Sequence, residues 1–200
     1  GDKLKELSAQ FLKFAQINGT DVIPSIDGAQ KAMDAWGVSP DDAGAFLDTL
    51  NVVGQKTGVS MDTLEAALVT NATAFQGLGL GIADSASLLG ELEKSGIDVQ
   101  TVMTGLSKAQ AKAAKEGVSL SDELQKAFTS AGSAVEIFGA KAGPKLYESV
   151  QNGALSLDMF SGSAATLEDN IGSVSETLDN TRDPIDQWQL TLHQLQLTGA

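Results

Sequence analysis

A glycine, then Val or Ile, then Ser or Asp recurs along the chain at Gly37-Val38-Ser39, Gly58-Val59-Ser60, Gly96-Ile97-Asp98 and Gly117-Val118-Ser119. The steps from 37 to 58 and from 96 to 117 are both 21 residues. Each phrase lies between segments with helical apolar spacing, so each reads as a helix stop joined to a helix start. Glycine closes a helix in the left-handed conformation without a Cβ clash. Ser or Asp then accepts a first-turn N–H, and the apolar residue between them is placed to staple the turn onto the new helix. A chain cut about every 21 residues in this way folds back on itself instead of forming one long rod.

The intervening segments support helices and little else. Alternating β-branched runs are missing and alanine and leucine dominate. Phe46, Leu47, Leu50 and Val53 make one helical stripe, Leu64, Ala67 and Leu68 a second, and Val99, Val102, Met103 and Leu106 a third. All three read as core. Helices are expected over about 3–17, 24–36, 40–56, 61–76, 84–95, 98–115, 121–131, 133–138 and 144–152, with more from 157 onward. In the last region Leu167, Ile171, Val174 and Leu178 keep helical spacing, and Pro184 should kink or restart the helix.

The beat is imperfect. Gly79, 21 residues after Gly58, lies inside Gly77-Leu-Gly-Leu-Gly81, and Gly96 follows it after only 17. The expected fold is therefore all-α: eight to ten short helices in an irregular stack of helical hairpins or a bundle. Two helices with their turns take about 42 residues, which also fits HEAT-like repeats. Residues 1–152 are expected to form the helical domain, and 153–200 a distinct acidic helical segment running on into further sequence.

Charge and composition limit the functions open to such a fold. The net charge of −13 works against non-specific contact with nucleic acid or anionic lipid. It is uneven: 1–93 sums to −8, 94–145 to +2 and 146–200 to −7. Lys108, Lys112 and Lys115 share one helical face in the least acidic part and read as a solvated surface. The absence of cysteine removes disulfides, thiolate zinc sites and cysteine nucleophiles. The chain opens on Gly1-Asp2-Lys3 without a signal-peptide core, and is expected to be part of a longer protein. The longest uncharged stretch, Ala66 to Ala83, contains Thr70, Asn71, Thr73, Gln76 and three glycines, and reads as a turn between two buried helices.

No catalytic, cofactor-binding or metal-ligating residues are expected. The single histidine, His193, has no carboxylate three or four residues away. Gly77 to Gly81 lacks the preceding strand and the lysine of a phosphate-binding loop, and Gly139-Ala-Lys-Ala-Gly143-Pro144 lacks the GK[ST] signature. Asp41-Asp42, Asp122-Glu123 and Glu168-Asp169 sit at expected helix starts, where the helix dipole accounts for them. The residues singled out are structural: Gly37, Ser39, Gly58, Ser60, Gly96, Asp98, Gly117 and Ser119.

Three segments, taken in order, resemble a known family. They are AMDAWGVSPDDAGAFLDTLNVVGQKTGVSMDTLEAAL (Ala32 to Leu68), LLGELEKSGIDVQTVMTGLSKAQAKAAKEG (Leu88 to Gly117) and AVEIFGAKAGPKLYESVQNGAL (Ala134 to Leu155). Their order and spacing are similar to the recurrent α-helical domain of phage tail tape measure proteins. That resemblance implies a structural, non-enzymatic virion protein involved in tail length determination, tail assembly and genome delivery. It implies a place in the virion tail, and in the bacterial host cytoplasm during assembly. Implied partners are tail tube proteins, baseplate or tail-tip proteins and tail assembly chaperones, with an oligomer in the virion. Direct contact with nucleic acid is not expected, and membrane contact stays open only for the full chain. A helical ruler needs long unbroken heptads, and glycine and proline interrupt residues 19–153. This stretch is therefore expected to be a folded domain outside the extended ruler, with a HEAT-like protein-binding module as the alternative.

Overall fold

The computed structural model describes residues 2–19, 21–160 and 162. Eight α-helices and two 3₁₀ turns account for most of them, and no strand occurs among the described residues. The helices are α1 (Asp2–Asn18), α2 (Val22–Trp36), α3 (Ala43–Thr57), α4 (Met61–Gly77), α5 (Ile82–Lys94), α6 (Val99–Glu116), α7 (Leu120–Ala127) and α8 (Ala131–Gln151). The 3₁₀ turns are Pro40–Asp42 and Leu157–Phe160. The fold is all-α, as the sequence predicts.

Local chemistry explains the differences in boundaries. The helix expected from residue 40 begins as the 3₁₀ turn, and α3 starts at Ala43. Ser39 donates its hydroxyl to Asp42 Oδ2 at 2.8 Å, and the Asp42 N–H bonds back to the Ser39 carbonyl at 3.0 Å, which tightens that first turn. α7 ends at Ala127 because Ser130 already caps the next helix, accepting from the Ser133 N–H at 3.0 Å.

The separate helices expected at 133–138 and 144–152 are the two halves of α8, which breaks only at Gly139 (φ 80°, ψ 167°). Only glycine adopts that backbone readily, and it lets the second half begin at once. Pro144 follows near the start of that half, where a missing N–H costs least.

Packing is organised around α5. From Ile82 to Leu92 every residue except Ser87 is buried, so this helix is enclosed on nearly all sides. Leu88, Leu89 and Leu92 meet the apolar faces of its neighbours: Phe46, Leu47 and Leu50 on α3, and Leu64 and Leu68 on α4. α2 packs on α4 and α3 on α5, while α1 bridges α2 and α3. This alternate pairing makes a two-layer stack. It stops at α6, which packs instead on α7 and α8 and is barely in contact with α4.

The turn Leu157–Phe160 ties the halves together by packing on both α5 and α7. Phe128 stacks on Phe138 at 5.5 Å and meets Phe160 at 5.9 Å. Leu155 and Phe160 are fully enclosed, so the helical body continues past Gly153. The acidic segment beyond 162 lies outside the described residues, including Glu168-Asp169, the 167–178 stripe, Pro184 and His193.

No single helix among the described residues is long and apolar enough to cross a membrane. The uncharged stretch Ala66–Ala83 is split between α4 and α5, which are bent 120° from one another.

Candidate interaction surface

The residues singled out from the sequence lie at the helix junctions. Gly37, Gly58, Gly96 and Gly117 all have positive φ, between 59° and 75°. After three of them the following apolar residue donates its N–H back to a carbonyl five residues earlier. These bonds are Val38 to Met33 at 2.9 Å, Ile97 to Leu92 at 2.9 Å and Val118 to Ala113 at 3.0 Å. Gly79 makes the same kind of turn, with Leu80 bonded to the Phe75 carbonyl at 3.1 Å. Gly58 differs in the residue after it, since the Val59 N–H bonds to the Thr57 hydroxyl at 3.3 Å.

The four cap residues are not equivalent. Ser60 accepts from the Thr63 N–H at 3.3 Å and Asp98 from the Thr101 N–H at 2.8 Å. Asp98 also receives the Thr101 hydroxyl at 2.7 Å, and these bonds hold its carboxyl below the usual carboxylate range. Ser119 forms a reciprocal cap: it accepts from the Asp122 N–H at 3.1 Å while the Asp122 carboxylate takes the Ser119 N–H at 3.2 Å. Ser39 makes no side-chain cap to a backbone N–H.

Lys108, Lys112 and Lys115 on α6 are all exposed, as the sequence predicts, and two of them reach across to neighbouring helices. Lys108 donates to the Glu136 carbonyl on α8. Lys112 pairs with Glu123 at 2.5 Å, and Lys126 with Glu116 at 3.1 Å, so α6 and α7 exchange charges in both directions around Gly117. Lys115 forms no ion pair among the described residues.

Because α4 and α6 do not close on one another, the surface between them opens. A groove of about 820 Å³ lies between α4 and the α5–α6 turn, and a second of about 310 Å³ continues it between α4 and α6, sharing Gln100. The α4 wall is a stripe of small residues: Thr63, Ala66, Ala67, Thr70, Thr73, Ala74 and Gly77. Gln100, Met103, Thr104, Ser107 and Gln110 line the α6 side. Asp62, Glu93 and Asp98 give the wider end a negative rim. Alanines, Ile97, Val99, Leu78 and Met103 alternate with hydroxyls, amides and carboxylates, so the open furrow is of mixed polarity. Among the described residues no group of three or more His, Asp or Glu side chains is arranged to hold a metal ion.

Sequence reasoning placed neither this furrow nor the buried carboxylate of Glu65. Glu65 lies four residues past the start of a helix, where a carboxylate ordinarily serves the dipole, yet it is only 3% exposed.

Compared with known proteins, the chain matches the family model described as phage-related minor tail protein over residues 1–195. Neither the curated proteins nor the solved structures searched gave a match.

Proposed function

The chain belongs to the phage-related minor tail protein family, and from that premise we propose that residues 2–160 are a folded domain of a tape measure protein, standing outside the extended part of its ruler. The family supports a structural role in the virion tail. In the proposed reading the domain works at one end of the tail, during initiation of assembly or at the host envelope. Its partners are tail tube, baseplate or tail-tip proteins, with assembly chaperones engaging the chain earlier in the host cytoplasm.

One observation carries this reading. The longest unbroken described helix, α6, has 18 residues and spans roughly 27 Å. Among the described residues every junction between helices is a turn at a glycine, except that between α7 and α8, which turns at Phe128 to Ser130. A straight ruler segment would keep one helix running, whereas this stretch puts its apolar faces into a shared core. The α4–α6 furrow then supplies a face of mixed polarity for another tail component.

The HEAT-like alternative draws support from the alternate pairing of α2 with α4 and α3 with α5. A regular repeat would continue that pairing to α4 and α6, where the furrow opens instead.

These 200 residues contain no cysteine, so Thr70→Cys in the furrow places a single cross-linking point within them. In intact particles it is expected to form an adduct with a tail tube, baseplate or tail-tip protein. Absence of the protein from purified tails would contradict the reading.

A further inference from the structure

The contact between α2 and α4 contains a group that the tail role does not require. Glu65 on α4 is 3% exposed, and its Oε1 has no hydrogen-bond partner. Its carboxylate fills the space at Gly28 on α2, where a methyl group would overlap Oε2 and Cδ. One turn earlier on α2, Ser25 is 1% exposed and its hydroxyl also has no partner. A neutral carboxyl tolerates such a site, but a charged one without hydrogen bonds or a cation does not.

We propose that Glu65 is a proton-operated latch: its neutral carboxyl keeps α2 docked on α4, and its ionisation loosens that contact.

The surrounding charges leave an ionised Glu65 uncompensated. On its own helix Asp62 lies one turn away and repels it. On α2, Lys31 is held by Asp27 at 2.6 Å on the exposed side, and Asp21 and Asp34 are acidic. α3 offers buried Asp48 and exposed Lys56. α5 offers buried Asp84 and Glu91 and exposed Glu93, with Lys94 lying 3.7 Å from Glu91. No described lysine forms an ion pair with Glu65. Burial first, and Asp62 second, push its carboxyl up to about 8.

The folded value lies above the ordinary one of 4.5, so the sign is fixed. Docking is strongest below about pH 4.5 and is lost as pH rises towards about 8. The hinge is local. At the other end of the contact Trp36 Nε1 donates to the Leu68 carbonyl at 3.0 Å and Gln76 Nε2 to the Ala35 carbonyl at 3.2 Å, and neither bond involves a titrating group.

Hydrogen exchange on the full chain, corrected for the intrinsic chemical rate, tests the latch between pH 6 and 8. Amides of α2 should lose protection relative to those of α6 by roughly tenfold per pH unit. Glu65→Gln, neutral at every pH, should remove that dependence. Equal α2 protection at both ends of the range, or an unchanged dependence in Glu65→Gln, would overturn the proposal. Should Glu65→Gln fail to fold, carboxyl NMR titration of the unsubstituted chain decides. A Glu65 midpoint far above those of the exposed glutamates sustains the latch, and one in the ordinary carboxylate range ends it.

Discussion

Lys112 on α6 donates to the Glu123 carboxylate on α7 at 2.5 Å, across the turn that Gly117 makes between the two helices. Glu123 is 1% exposed, so this bond compensates a carboxylate that is out of reach of water, while the lysine itself stays half in solvent. Losing the lysine strands a buried charge, with Lys126 at 3.7 Å as its remaining partner. Lys112→Met should therefore lower the urea midpoint clearly, and Lys115→Met, on the same helix but exposed, should leave it unchanged. Equal effects from the two would show that the pairing does not hold α7 in place.

The glycine turns should separate by backbone geometry, not by composition. Gly58 has φ +75° with open space around the missing Cβ, so Gly58→Ala meets only the left-handed penalty, about 1–2 kcal/mol. Gly77, in the last turn of α4, also has open space but no positive φ. Gly77→Ala should be neutral or stabilising by up to about 1 kcal/mol. Chemical denaturation of both variants checks the contrast.

What the sequence made legible was whatever neighbouring residues decide between themselves. A glycine, an apolar residue and a cap act within six or seven positions, so the helix junctions could be read directly. Partner choice could not. The sequence reads α5 as a buried helix but does not say what covers Asp84, Ser85 and Glu91, which are enclosed because α3, α4 and the Leu157–Phe160 turn pack around it. Glu65 is a like case: its local setting is a helix start, and the approach of Gly28 from α2 makes it a buried group. The furrow is likewise a failure of two helices to meet, which no local pattern encodes.

Among the caps, Ser119→Ala removes one side of a reciprocal pair and should cost about 1 kcal/mol. Ser39→Ala should cost distinctly less, because Ser39 caps no backbone N–H. Asp98 and Asp122 both have carboxyls held below the ordinary value, chiefly by hydrogen bonds from Thr101 and Ser119 respectively. Stability from a depressed carboxylate is present above its unfolded value and is lost as pH falls through the folded one. The destabilisation caused by Thr101→Val should accordingly be seen at neutral pH and shrink in acid, as thermal unfolding across the acid range would show.

The two halves of α8 fold against each other at Gly143, where an added Cβ would lie 2.7 Å from the Val135 backbone nitrogen and Cα. Backbone cannot move aside as a side-chain tip can. Gly143→Ala should cost about 1–3 kcal/mol, and a loss below about 0.5 kcal/mol would show that the hairpin opens without strain.

Tail length tests the central claim most directly. A phage carrying a tandem duplication of residues 21–160 in its tail gene adds about 140 residues, equivalent to about 210 Å of straight helix. If this stretch is a folded domain outside the ruler, electron micrographs should show tails of unchanged length. Tails longer by about 210 Å would place these residues inside the ruler and contradict the reading.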